Sequence, residues 1–335
     1  LGKIAISNNN YPIANECFTY IINKGIENPY YTIALKLLLE TSYTKLFSGE
    51  TPQIQEIQNL ELEYTKALKN IGTNENSIEL MRSLAHIQAF YLQKIDSAKI
   101  LLETAISLPQ ISTIERGKCQ LELADIQVFE DDIWSANLLY AKIALDLKNN
   151  DLGHQARYKQ AQIAYFNGQF EYSQALLDIL KASTSKLISN DAFELAQLIS
   201  DNTALDTTTQ ALSWFAKADL LLLQKKNQLA LNYLDSITHT YPGHSLEDDI
   251  LIRKAKFAKN EKNYEAMCTY LIEITQRFSY DIYADNAHFM LAEYYDYSTK
   301  NYEQAQIHYK AIITDYTNSY YSTIARKRYR EIKTP

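Results

Sequence analysis

Along residues 211–242 (ALSWFAKADLLLLQKKNQLALNYLDSITHTYP) apolar side chains return every three or four positions, first on one helix face and then on another. Trp214, Ala218 and Leu221 share the first stripe; after a turn, Ala230, Leu234 and Ile237 share the second, and Tyr241-Pro242 ends it. The pattern predicts two short antiparallel helices. Small residues let the two backbones approach, and large ones fill the groove between neighbouring pairs. The same positions return 37 residues later as Leu251, Ala255, Ala258, Met267, Leu271 and Ile274. After another 37 or 38 they return as His288, Ala292, Tyr295, Ala305, Tyr309 and Ile312. Three copies in register predict a stack of helix hairpins.

Earlier residues extend the stack. Pairs are predicted over 154–181 (Ala161, Ala164, Phe170, Leu177, Leu180) and 113–148 (Leu123, Ala124, Ala136, Tyr140, Ile143). Another spans 77–108, marked by Ala85 and Ala98 and closed by Pro109. A less regular pair joins a helix over 30–47 to one over 52–70 through the loop 48–52, with Pro52 suited to a first helical turn. Tyr11, Ala14, Phe18 and Ile21 fit a second helix whose partner is cut short at Leu1-Gly2, so the chain is expected to begin inside a repeat, with more repeats upstream. The period breaks once: Ala161 to Ala218 is 57 residues, 20 more than one repeat. The extra stretch 181–209 predicts a helix over 191–200, capped by Asn190-Asp191 and flanked by Ser/Thr-rich loops. It reads either as a bridge between two blocks or as an insertion that covers the groove. Three segments are expected: a truncated N-terminal array (1–180), a connecting insertion (181–210) and a C-terminal array (211–335). The last helix, 320–333, is polar, as a terminal cap must be. Its cations Arg326, Lys327, Arg328, Arg330 and Lys333 suit a helix C-terminus. Ser245 and Asp248 are placed to form a capping box.

The large–small–large, small–large–large order resembles the tetratricopeptide repeat (TPR), with skeleton W-x2-L-G-x2-Y…A-x3-F…P; Leu1-Gly2 matches its L-G. The resemblance covers 211–325 and, in part, 113–180. It implies an all-α, TPR-like α-solenoid: a right-handed superhelix of antiparallel helix pairs whose first helices line a concave groove. A plain TPR repeats every ~34 residues. Here the extra residues fall at junctions such as Tyr241-Pro-Gly-His-Ser245 and in the loop 298–301 of the last repeat. That period resembles the long-period TPR proteins of Gram-negative envelopes, including the BamD-type lipoproteins of outer-membrane assembly and the periplasmic TPR protein of the Tol–Pal system. The stretch 176–191 (LLDILKASTSKLISND) resembles uncharacterised TPR proteins of Bacteroidota. Two departures stand out: Met267 replaces a small residue, and a single repeat keeps both Trp and Pro. The resemblance implies an envelope scaffold, periplasmic or outer-membrane associated, within a larger complex and with a possible lipid anchor upstream.

Composition narrows the partners. A net charge of −7 argues against nucleic acid, and no apolar run approaches the ~18–20 residues that span a bilayer. Cys17, Cys119 and Cys268 have no metal or redox spacing and read as buried apolar residues; their odd number favours a reducing compartment and keeps a cytoplasmic adaptor open. No phosphate-binding glycine loop, H-E-x-x-H or G-x-S-x-G occurs, so neither an enzyme nor a cofactor is expected. The carboxylates Glu247, Asp248 and Asp249 fall in a helix first turn, where acids are favoured.

The register selects a face of the first helices for a protein or peptide partner: Tyr158, Gln162 and Tyr165; Phe215 and Asp219; Lys256 and Lys259; Phe289, Glu293 and Asp296. Rings flanked by charges suit an extended or helical peptide. The Lys/Asn set by which chaperone-binding TPRs clamp a terminal carboxylate is not evident. The alternative is a glycan- or nutrient-binding lipoprotein similar to SusD-like proteins, binding through 181–209, a stretch without Trp or Tyr.

Overall fold

A computed structural model describes residues 1–48, 52–183, 186–203 and 208–332, and every regular element among them is a helix. In chain order these are α1 (Gly2–Ser7), α2 (Tyr11–Ile22), α3 (Tyr31–Phe47), α4 (Ile54–Ile71), α5 (Ile78–Phe90), α6 (Ile95–Ser107), α7 (Thr113–Phe129), α8 (Ile133–Asp146) and α9 (Asp151–Phe166). They continue with α10 (Phe170–Ser183), α11 (Lys186–Thr203), α12 (Gln210–Leu223), α13 (Asn227–Thr240), α14 (Glu247–Asn260), α15 (Tyr264–Arg277), α16 (Ala284–Glu293), α17 (Tyr302–Asp315) and α18 (Ser322–Glu331). The chain forms two compact units: Leu1–Ala164 with Glu171–Glu194, and Tyr165–Phe170 with Leu195–Pro335. Within each, consecutive helices pack as hairpins, giving an all-α array of TPR-like helix pairs.

The hairpins share one turn. Asn9, Gln93, Asp131, Gly168, Lys225, Lys262 and Lys300 all have left-handed backbone, with φ between +55° and +78°. From Gln93 onward they recur at the spacing of the sequence pattern, including the one long step across 181–209. At six of these turns the next residue's N–H reaches back into the finished helix, Asn10 to Ala5, Lys94 to Gln88, Asp132 to Gln127, Lys226 to Leu221, Asn263 to Ala258 and Asn301 to Tyr295, each at 2.8 Å. Asn10, Asp132, Asn263 and Asn301 then cap the second helix by accepting the N–H three residues on. A reversal built this way needs few residues, and the Asn or Asp caps satisfy an N–H at the start of the second helix.

The small residues sit where the helices cross. Ala85, Ala124, Ala161, Ala218, Ala255 and Ala292 on the first helices are wholly buried, as are Ala98, Ala136, Ser173, Ala230 and Ala305 on the second. Ser173 fills its place with a hydrogen bond from Oγ to the Ala161 carbonyl at 2.8 Å. Met267 is accommodated in the same register, buried among Leu251, Ala255 and Leu291. Four residues beyond each small residue of the second helix comes a large buried one: Leu102, Tyr140, Leu177, Leu234, Leu271 and Tyr309. Truncating one of these leucines to Ala costs about 2–5 kcal/mol. At the start of the chain, a Cβ on Gly2 would lie 2.6 Å from the Phe18 ring, so this helix contact requires glycine. Cys119 is buried, whereas Cys17 and Cys268 are half-buried, and all three are free thiols.

Local structure differs from the sequence pattern at four places. α11 runs unbroken from Lys186 to Thr203, so Asn190 and Asp191 lie inside the helix and cap nothing; residues 184, 185 and 204–207 of the expected flanking loops lie outside the described residues. α4 begins at Ile54, and Gln53 rather than Pro52 organises its first turn, its N–H held by Glu56 Oε2 at 2.8 Å. Ser245 does not form the expected box: its hydroxyl donates to Asn202 Oδ1 at 2.6 Å, tying α11 to the turn before α14. Asn202 is buried, and in the same turn Glu247 Oε1 accepts from the Gly243 N–H and His244 Nδ1 from the Leu246 N–H. In the last repeat the extra residue is absorbed by a π-helical turn, Tyr294–Ser298, rather than by the loop after it.

Candidate interaction surface on the first helices

The face selected from the sequence lies three residues before, one after and four after the buried small residue of each first helix. In the first unit Tyr158 and Gln162 share that face and are half-buried, with Gln162 Nε2 3.5 Å from the Tyr158 hydroxyl. In the second, Lys256 and Lys259 are exposed and Glu293 is half-buried. Phe289 is also half-buried and stacks on Tyr321, ring centres 4.3 Å apart.

Tyr165, Phe215 and Asp296 are interior side chains, which corrects the expectation that they line a groove. The hydroxyl of Tyr165 donates to Asp219 Oδ2 at 3.2 Å. Arg253 Nη2 donates to the same oxygen at 3.1 Å, and its guanidinium lies 5.6 Å from the centre of the Phe215 ring. Asp296 is delivered inward by the π turn, where Tyr309 donates to it at 3.2 Å and Arg328 by Nε at 2.5 Å and by Nη2 at 2.9 Å. One cation of the C-terminal cluster is thus spent anchoring the last helix. The physical reason is coverage: a position on the first-helix face becomes interior wherever the next first helix lies over it.

That coverage follows a rule. The residue one past the small position pairs with the residue two before the small position of the next first helix. His86 Nδ1 lies 2.7 Å from Glu122 Oε1, Lys159 Nζ 3.1 Å from Asp125 Oδ1, and Arg253 pairs with Asp219. Asp125 also accepts from Tyr140 at 2.5 Å. From α14 to α16 the ladder changes character, because the residue in register with Arg253 is Met290.

Burial shapes the protonation states. Asp219 is pushed upward by desolvation, against the pull of Arg253 and Tyr165. Nearby, burial and then the Asp248 charge push Asp249 up to about 7, against the hydrogen bond donated by Tyr283 at 2.9 Å. Asp248 is pushed up to about 6, again by burial first. On α16 and α17, His288 and His308 meet through their Nδ1 atoms at 3.0 Å. Burial lowers both, and the His288 charge helps bring His308 down to about 4. Among the described residues no cluster of His, Cys, Asp and Glu could hold a metal ion.

The first unit also contains a concavity that the sequence pattern did not single out. A cavity of about 280 Å³ opens among α3, α4, α5 and α7, walled by Tyr43, Tyr64 and Leu80. Arg82 and His86 line it, at the same two register positions as Phe215 and Asp219. Applying the face rule to α5 around Ala85 would have found both. Arg82 Nε is buried without a hydrogen-bond partner, a state that costs about 1–3 kcal/mol.

No family model and no curated protein matches the chain. Among solved structures, the crystal structure of a tetratricopeptide repeat protein from Parabacteroides merdae ATCC 43184 aligns over 81% of this chain and 88% of that one, with 13% identity and a TM-score of 0.43. The TPR-like assignment of the fold stands on the hairpins, the recurring left-handed turn and the buried small residues.

Proposed function

We propose that the chain is a non-enzymatic protein-interaction scaffold that holds an extended or helical segment of a partner against its first helices. The observation that carries this is the exposed face of α14, where Lys256 and Lys259 stand in solvent. The next first helix adds Phe289 and Glu293. Such a surface suits a partner segment with acidic and apolar side chains. The setting we propose is a bacterial cell-envelope assembly or secretion complex, periplasmic or outer-membrane associated, supported by the 37–38-residue period at 211–325. No helix among the described residues is long and apolar enough to cross a membrane.

The test is affinity capture from membrane and soluble fractions with the wild type and a Lys256→Glu/Lys259→Glu variant of unchanged circular dichroism. Envelope components retained by the wild type and lost about tenfold by the variant are the expected result. Equal retention by both proteins overturns the site; a purely cytosolic set overturns the compartment.

A further inference from the structure

The cavity of the first unit has a charge inventory that does not close on itself. Lys36 lies 3.5 Å from Glu79, and His86 lies 2.7 Å from Glu122, so four of the lining groups are spoken for. Two are left: Arg82 on α5 and Glu40 on α3, which bear opposite charges, line the same cavity and make no ion pair, with each other or with any other described residue. Arg82 Nε is in addition buried and unsatisfied. A guanidinium in that condition calls for a carboxylate, which it can grip through two parallel hydrogen bonds.

A simple anion fits poorly. Two permanent cations, Lys36 and Arg82, face three carboxylates, Glu40, Glu79 and Glu122, and a ligand that brought only negative charge would meet that excess. A ligand carrying both charges answers the two open groups at once. The size agrees: about 280 Å³ is at the small end of ligand clefts, which run from about 300 to 1,000 Å³. The walls between the charged ends are the rings of Tyr43 and Tyr64 and the side chain of Leu80, which suit an apolar body.

We propose that this cavity binds a small zwitterion of the α-amino acid or dipeptide class, with its carboxylate on Arg82 and its ammonium group toward Glu40. The site is built entirely from the first unit, and it stands apart from the scaffold reading. Loss of partner capture at Lys256 and Lys259 leaves it untouched, and its own failure leaves the scaffold intact.

Calorimetric titration of the full chain with the twenty standard amino acids and a panel of apolar dipeptides tests the proposal. At least one member is expected to saturate with a Kd below about 1 mM. N-acetylation or amidation of that ligand is expected to weaken it about tenfold each. Arg82→Gln should weaken the parent ligand by about tenfold or more. Glu40→Gln, at an exposed position, should weaken the free amine but not its N-acetyl form. Should Arg82→Gln fail to fold, Glu40→Gln decides the matter. Absence of saturation below about 1 mM across the panel overturns the site, as does a Kd indifferent to both substitutions.

Discussion

The two units use one register position in opposite ways. In the first, the residue after the small position on α7 is Asp125, paired with Lys159; the two side chains are 30% and 32% exposed, so water screens the pair. In the second, the equivalent residue on α12 is Asp219, 14% exposed, with Tyr165 donating to it from the interior and Arg253 set over Phe215. Each carboxylate also takes the hydroxyl of a buried tyrosine, Tyr140 on Asp125 and Tyr165 on Asp219; what differs is how far the carboxylate itself is withdrawn from water. Three residues before the small position the contrast repeats: Arg82 borders a cavity, while Phe215 is wholly buried. Periodicity places a side chain on a helix face; the neighbouring helix decides whether that face is a surface or an interior.

Removing the two carboxylates should break this comparison most visibly. Asp219→Ala leaves the buried Tyr165 hydroxyl without its acceptor and the half-buried Arg253 without its partner, and is expected to cost about 3 kcal/mol. Asp125→Ala removes the screened Lys159 pair and the acceptor of the buried Tyr140 hydroxyl, and is expected to cost about 2 kcal/mol. Urea unfolding of the full chain with each variant measures both, and equal losses would erase the distinction drawn between the units.

Acidification sharpens the picture within the second unit, because two titrations oppose each other there. Asp249, raised by burial to about 7, holds a proton in the folded chain that the unfolded chain releases above its ordinary carboxylate range. Its contribution therefore grows as pH falls from 7 toward 4. His308, lowered by burial to about 4, refuses a proton that the unfolded chain accepts below 6.5, so its contribution shrinks as pH falls through that value. On going from pH 7.5 to 5, Asp249→Asn is expected to make the change in unfolding free energy less favourable by about 2 kcal/mol relative to wild type. His308→Phe should make it more favourable by about 1 kcal/mol. Unfolding curves at the two pH values measure these shifts; parallel behaviour of the two variants would contradict the opposed signs.

The smallest effect concerns the hairpin turn, which both units share. Gly168 has φ +72°, with the Ser213 Oγ 3.6 Å from where a Cβ would sit, so Gly168→Ala meets only backbone strain and is expected to cost about 1 kcal/mol. Lys262, at φ +58°, already carries that strain, and Lys262→Gly should recover about 0.5 kcal/mol. Thermal midpoints of the two variants should move in opposite directions.

The helix pairs from α5 onward were legible because small and large residues alternate where backbones cross, a requirement that close packing imposes on the sequence. The expected groove residues Tyr165, Phe215 and Asp296 were legible as members of a face but not as buried ones, because depth depends on a helix 32–54 residues away. α11 was partly hidden by Ser and Thr, whose hydroxyls hydrogen-bond to carbonyls of their own helix, as Thr203 does to Ile199. The π turn gave no signal beyond one surplus residue, and the cavity was missed because Arg82 stands where α9, α12 and α16 carry Tyr158, Phe215 and Phe289.

The ladder between first helices also works as a spelling rule. α7 presents an acid to both neighbours, Glu122 backward and Asp125 forward, while α14 presents a base to both, Arg253 backward and Lys256 forward. A tandem copy of α7–α8 would set Asp125 against a second Glu122, and a tandem copy of α14–α15 would set Lys256 against a second Arg253. Neither hairpin can follow itself without like charges in register, so the order of the hairpins is written into the array, and simple duplication of either one is disfavoured by its own chemistry.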